Sequence, residues 1–368
     1  MNRSDIGKTI AACLAGSWRE HVEPAQVSEE ALELALPELI SLGSVALAQR
    51  RVRLNEALAA SSTGQKLADA ARGLSMRAMM LDAAVPSLNQ FLNDRGFQGL
   101  LMKGWAVAQA YHTPLTRPSG DMDLLVTPDQ FADVFEALYA NSAKLPRPEK
   151  INPKAELAVT LKWDHPGEVS KVDLHGDLEK FDLNPVSELI ARSPDLSGGT
   201  GALRTPDHTD HLQILAVHML IHGAWRPIWL VDIAAMVERH GSEIRWDRYH
   251  DPLIRNWIAT SLHLAKDLLG ADLSATPDWV QNHAQPRWAA PHVLDLWCLP
   301  VTHLNTRPTL KNTLRMMPAK LPKELMLRWP KPIAAIVQRG RPIQGEIRLN
   351  HQLLWIAGKA WKHRLVNW

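Results

Sequence analysis

The chain has 368 residues, 46% of them apolar and 22% charged. That balance excludes intrinsic disorder and a coiled coil, and the length accommodates about two domains with a substantial core. The two cysteines, Cys13 and Cys298, are 285 positions apart, which excludes a disulfide framework, a CxxC redox pair and a cysteine-based zinc site and makes a cytoplasmic setting the expectation.

Net charge is +2, unevenly spread: residues 301–368 hold 13 Lys/Arg against Glu324 and Glu346, so the other 300 residues carry −9. A stretch of this sign fits either an anionic partner or a basic solvated face. The apolar patch from Thr9 to Gly16 is short and polar-flanked, and reads as the start of a helix rather than a signal peptide. The most apolar segment, Leu212 to Val237, is broken by His218, His222, Arg226 and Asp232 and is no membrane span.

Residues 1–95 form an N-terminal helical region: ALELALPELISLGSVALAQRRVRLNEAL and KLADAARGLSMRAMMLDAAVPSLNQFLNDRG carry apolar residues at helical spacing, and Gly96 closes the second run. Residues 96–200 form a small α/β core. FQGLLM (97–102) reads as a buried strand, GWAVAQAYH (104–112) as a short helix, TPLTRPSG (113–120) as a loop and MDLLV (122–126) as the clearest strand. Thr127, Pro128 and Gln130 predict a helix N-terminus with a capping box, the helix running to about residue 141. AELAVTLKW (155–163) and VSKVDLHG (169–176) alternate as a hairpin around the turn Asp164–Gly167. Residues 201–300 return to helices, as TPDHTDHLQILAVHMLIHGAW, IWLVDIAAMVERHG and HDPLIRNWIATSLHLAKDLLG. Residues 301–368 are a basic, Pro-punctuated tail with one further helical run, NHQLLWIAGKAWKHRLVNW. The fold class is therefore α+β, a small mixed sheet flanked by N- and C-terminal helical regions.

Asp121 and Asp123 stand two apart at the mouth of a strand, so both carboxylates project to one face. Two like charges so close call for a neutralising cation, and magnesium favours one or two carboxylates plus substrate phosphates. Asp173, on the face shared by Lys171 and His175, offers a third carboxylate from a neighbouring strand. Lys103-Gly104 ends a strand where a helix begins, and Arg117 and Ser119-Gly120 precede the Asp pair; a guanidinium and loop amides there suit phosphate oxygens.

LLMKGWAVAQAYHTPLTRPSGDMDLLV resembles the signature of the DNA polymerase beta-like minimal nucleotidyltransferase superfamily. With the later DLH it is similar, more narrowly, to the bacterial uncharacterised nucleotidyltransferase family, and the likeness extends over roughly residues 30–275. The resemblance implies that Asp121 and Asp123 ligate two magnesium ions with Asp173 as third carboxylate, and that these three are the catalytic residues. It further implies that Lys103, Gly104, Arg117, Ser119 and Gly120 hold the nucleotide triphosphate. Gly104 is followed by Trp105 where the family has a small residue; the indole either crowds the triphosphate or faces the helix core.

His175, His218 and His222 are candidate substrate-pocket residues. His218 and His222 are four apart on a helix but have no glutamate between them, which argues against a metalloprotease pattern. Trp225, Trp229 and Asp232 read first as core packing. The expected function is magnesium-dependent transfer of a nucleotidyl group from an NTP to an acceptor hydroxyl or phosphate, the acceptor being a small molecule or peptide. The resemblance points to bacterial natural-product or polysaccharide biosynthesis. Two alternatives stay open: transfer of a glycosyl or other phosphate-linked group to a phosphorylated acceptor, and a non-catalytic nucleotide- or partner-binding module.

Overall fold

The structure, a computed structural model, describes residues 3–140, 151–154, 157–162, 169–183, 185–195, 203–299 and 329–366. The first helices are α1 (Arg3–Leu14), α2 (Glu29–Ser41), α3 (Val45–Val52), α4 (Glu56–Ala60) and α5 (Ser62–Asn93). Side-chain caps begin several of them: the Ser28 and Ser61 hydroxyls accept from the N–H groups of Ala31 and Gly64. Gly43, at φ +72°, ends α2 and splits the long apolar run that the periodicity alone would continue.

The central part is β1 (Gly99–Met102), α6 (Gly104–Ala108), β2 (Met122–Leu125), α7 (Phe131–Ala140), β3 (Leu157–Lys162), β4 (Val169–His175), α8 (Val186–Arg192) and β5 (Leu203–Arg204). The strands form one mixed sheet in the order β3-β4-β2-β1-β5. β1 and β2 are antiparallel, β2 and β4 parallel, and β3 and β4 antiparallel as the hairpin reading expected; its turn, Asp164–Gly167, lies outside the described residues. β5 was not foreseen. With two residues it has no periodicity to read, and it is held beside β1 partly by the Leu203 N–H donating to Asn89 Oδ1 at 2.9 Å.

The capping box before α7 does not form. The helix begins at Phe131, and the Gln130 side chain accepts from the Gln98 N–H at 3.5 Å instead of reaching back to Thr127. A tertiary partner wins over the local cap.

Alternate residues of β1 and β2 enter two different cores. Leu100, Met102 and Leu125 join one cluster with the helical bundle, whereas Leu101, Met122, Leu124 and Val126 join another with α7 and the C-terminal half of α5. The bundle comprises α9 (His208–Ile221), α10 (Pro227–His240) and α11 (Pro252–Leu269), followed by α12 (Asp278–Gln281) and α13 (Ala289–Trp297). α1 packs on α13 so closely that a Cβ on Gly7 would sit 2.3 Å from the Leu294 carbonyl oxygen.

The segment 301–328 of the basic tail lies outside the described residues. From Trp329 the chain packs back on the bundle through α14 (Pro332–Val337), which lies against α9, and α15 (Leu349–Val366) packs on α14. Ile333, Ile336 and Val337 are buried there, and Trp257 Nε1 donates to the Arg341 carbonyl. Among the described residues no helix is long and apolar enough to cross a membrane.

Candidate active site

β2 and β4 run parallel with Asp123 opposite Asp173, so the two carboxylates lie side by side on one face, and Asp121 precedes β2 on that same face. All three open into a cavity of about 360 Å³ also lined by Lys103, Gly104, Arg117, Pro118, Ser119 and Gly120. The far wall comes from α9, α10 and the turn between them: His218, His222, Trp225, Arg226, Trp229 and Asp232.

Lys103 reaches this face by breaking the strand rule. Leu101 points to the opposite core, so a continued strand would send Lys103 there too. Instead Lys103 adopts φ 56°, ψ −132°, a conformation that favours glycine, and its Nζ lands 2.6 Å from Asp123 Oδ1. The Lys103 N–H donates to His211 Nε2 at 3.2 Å. Burial first, and the nearby His208 next, push His211 down to about 3, so its neutral ring serves as acceptor.

Gly104 follows because nothing larger fits: a Cβ there would sit 2.3 Å from Ser119 Oγ. The Ser119 hydroxyl donates to the Asp121 carbonyl at 3.0 Å and shapes the loop that enters β2. Trp105 does not crowd the cavity. Its indole packs on the α5 side and donates to Asp82 at 2.8 Å, which settles the two readings of that residue in favour of the helix core.

The three carboxylates differ in electrostatics. Burial would raise Asp123, but the Lys103 ammonium and the His175 ring outweigh it and hold its carboxyl well below the usual range. Asp121 is raised by burial and by the charges of Asp123 and Asp173, with Lys171 and Arg117 offsetting only part. Lys171 Nζ donates to Asp173 Oδ2 at 2.8 Å and lies 3.8 Å from Asp121 Oδ2, a cation standing between two carboxylates. Asp173 Oδ1, although as near to Nζ, is buried and takes no hydrogen bond.

Hard oxygen donors, including the buried Asp173, beside a carboxyl destabilised by its neighbours fit a divalent cation such as magnesium. The three do not close to ligand spacing in this structure: the one His/Cys/Asp/Glu trio among the described residues with donor atoms all within 4.8 Å of one another is His208, His240 and Glu243.

Two expected roles change. His175 does not line the cavity; it is 4% exposed and its Nε2 sits 3.1 Å from Asp123 Oδ1, bracing that carboxylate from behind. Arg117 does line the cavity, but the fork expected on phosphate is used elsewhere. Its Nε and NH2 donate to the two oxygens of Asp232 at 3.0 and 2.7 Å, and its NH1 to the Pro118 carbonyl at 2.9 Å. The Tyr111 hydroxyl also donates to Asp232, at 2.6 Å. Asp232 is fully buried, so this trio latches the loop before β2 onto α10.

The residue that sequence reasoning missed is Arg226. Its guanidinium lies 5.7 Å from the ring centres of both Trp225 and Trp229, and its buried Nε has no hydrogen-bond partner. Among the described residues it makes no ion pair, and burial lowers its pKa. A basic residue between two tryptophans was the only signal. His218 and His222 do face the cavity, their rings tilted and 4.6 Å apart, with His218 edge-on to Trp229 at 5.1 Å, and burial keeps His218 neutral at physiological pH.

Residues 42–270, from the turn before α3 to the αL glycine that ends α11, match the family model described as uncharacterised nucleotidyltransferase. No curated protein and no solved structure matches the chain. The matched span covers well over half the chain and contains every residue that lines the cavity, so the chain belongs to the uncharacterised nucleotidyltransferase family.

Proposed function

We propose that the protein transfers a nucleotidyl group from an NTP to an acceptor hydroxyl or phosphate, releasing pyrophosphate, with magnesium as cofactor. The observation that carries this reading is the convergence of Asp121, Asp123 and Asp173, from two adjacent parallel strands, on a cavity whose other polar side chains include cations. Family membership supports the same reaction class.

In this reading Asp121, Asp123 and Asp173 hold the magnesium. When bound, the metal neutralises phosphate charge and stabilises the attacking and leaving oxygens of an in-line displacement at phosphorus. The chain's own residues do the rest. Gly104, having no side chain, lets Ser119 close against the start of α6 and so fixes the loop that leads to Asp121. Arg226 offers a desolvated guanidinium to the anionic tail of the nucleotide, where it is worth more than at a solvated surface. Lys103 holds Asp123 ionised, and Asp232, by holding Arg117, fixes the loop that delivers Asp121. Trp225, Trp229 and His222 form an aromatic wall suited to a planar or sugar group.

Calorimetric titration with each NTP, with and without magnesium, tests the binding half of the proposal, and release of labelled pyrophosphate tests the chemistry. NTP binding that needs magnesium and is lost in Asp123→Asn is expected. Binding unaffected by both would refute the reading.

A further inference from the structure

A second cluster of ligating side chains lies outside the cavity. His208 is the first residue of α9, His240 the last of α10, and Glu243 follows in the next turn. His208 Nε2 lies 3.2 Å from Glu243 Oε2, and His240 Nδ1 lies 3.1 Å from Glu243 Oε1. The two imidazoles stack with ring centres 3.7 Å apart and planes within 11°. One donor atom from each residue lies within 4.8 Å of the others. We propose that His208, His240 and Glu243 form a site for a divalent transition-metal ion of the zinc class.

The chemistry of the donors supports this class. Two imidazole nitrogens and one carboxylate oxygen are borderline ligands that suit zinc, unlike the three carboxylates Asp121, Asp123 and Asp173 in the cavity, which suit magnesium. Tetrahedral ligands at about 2.0–2.1 Å from a metal stand roughly 3.3 Å apart; since a metal lies in the plane of each imidazole it binds, the stacked rings must swing out of parallel, by tens of degrees in all, to complete the set. Glu243 is 57% exposed and His208 35%, leaving a fourth position open to water. Burial and the neighbouring His240 lower the His208 pKa, which keeps that ring in the neutral form a metal needs.

Asp207, the N-cap of α9, stands beside His208 and is paired with Arg248 at 2.6 Å.

The ion would staple the start of α9 to the end of α10. One turn along α9 is His211, which accepts from the Lys103 N–H, and α10 carries Asp232, which holds Arg117. The proposal nevertheless stands apart from nucleotidyl transfer, because its residues touch none of the cavity.

The test uses full-length protein stripped with EDTA and titrated with zinc against a chromophoric chelator, in millimolar magnesium at neutral pH. One equivalent should bind, and the melting temperature should rise with it. His208→Ala and His240→Ala should each weaken zinc binding at least about a hundredfold, with Glu243→Gln weakening it about tenfold. His240→Gln, closer in size and still able to hydrogen-bond to Glu243, should lose zinc while keeping the circular dichroism and magnesium response of the parent. Asp123→Asn should leave zinc binding intact. Absence of stoichiometric binding, or affinity unchanged in the histidine variants, would overturn the proposal. So would zinc binding lost in Asp123→Asn but kept in His240→Ala.

Discussion

Asp121 and Asp123 are two residues apart, yet removing their charges should move stability in opposite directions. The Asp123 side chain is 12% exposed and lies against Lys103, itself 10% exposed, at 2.6 Å. Breaking such a buried pair costs about 3–5 kcal/mol, because the surviving ammonium is left uncompensated. In Asp123→Asn the amide oxygen still accepts one hydrogen bond, which reduces the expected loss to about 2–4 kcal/mol. Asp121 is 39% exposed, with Lys171 no nearer than 3.8 Å, and its carboxyl is raised by burial and by Asp123 and Asp173. Asp121→Asn removes that repulsion, and solvent screening limits the gain to at most about 1 kcal/mol.

The pH dependence follows from the two shifts. Asp123 is depressed in the fold, so its contribution is present above the unfolded value of about 3.9 and is lost as pH falls below it. Asp121 is raised, so its cost is absent in acid, develops as pH climbs past about 3.9, and is complete above its folded value. Thermal melts of EDTA-treated protein, stepped from pH 7 toward pH 4, should show Asp121→Asn above and Asp123→Asn below the parent at neutral pH. Over that range the Asp121→Asn difference should shrink toward zero, whereas the Asp123→Asn difference should persist, because its loss begins only below about 3.9. Two variants destabilised alike at pH 7 would refute the account of the charges.

The same physics makes magnesium stabilise the parent by mass action, about 1.4 kcal/mol at ten times its Kd, and much less in Asp123→Asn; equal rises in melting temperature would separate the metal from these carboxylates. Arg226→Met should weaken NTP binding about tenfold to a hundredfold in calorimetry while leaving the melt unchanged or higher, since burial already disfavours the charge there. Arg117→Lys keeps the charge but loses the fork on Asp232, and should cost a few kcal/mol; in a double-mutant cycle with Asp232→Asn, a coupling energy below about 1 kcal/mol would show that the latch is not cooperative. Truncation before Trp329 strips the bundle of Ile333, Ile336 and Val337, and should give a non-cooperative melt in circular dichroism rather than a folded core.

Much of the frame was legible because it rests on local periodicity. LLM and MDLLV alternate between two cores, the two-residue spacing of Asp121 and Asp123 sets them on one face, and VSKVDLHG brings Lys171, Asp173 and His175 to the matching face of the adjacent strand. What escaped depends on partners distant in sequence. Arg117 and Asp232 are separated by 115 positions, and no spacing rule connects them. Arg226 reaches the cavity from the turn between α9 and α10, and no local spacing relates that turn to the carboxylates of the sheet. Trp105 was ambiguous because a five-residue helix shows too little periodicity to say which face is buried. Gln130 matched a capping box and was taken by Gln98 instead.

Lys103 joins the two levels. Its backbone conformation suits glycine, and holding a side chain there costs about 1–3 kcal/mol. A glycine would relieve that strain but leave Asp123 buried without its nearest cation, a loss of about 3–5 kcal/mol by the usual scale for broken buried pairs. The second quantity exceeds the first, so stability alone already favours lysine. The strain is what carries the ammonium across the sheet: with ordinary strand dihedrals the side chain would follow Leu101 into the opposite core. The reversed backbone also turns the Lys103 N–H toward His211 and starts α6 at Gly104, beside Ser119. One unusual pair of dihedral angles thus sets the charge state of Asp123, the anchor to α9 and the close contact of Gly104 with Ser119, three features that nucleotide binding at this cavity would use together.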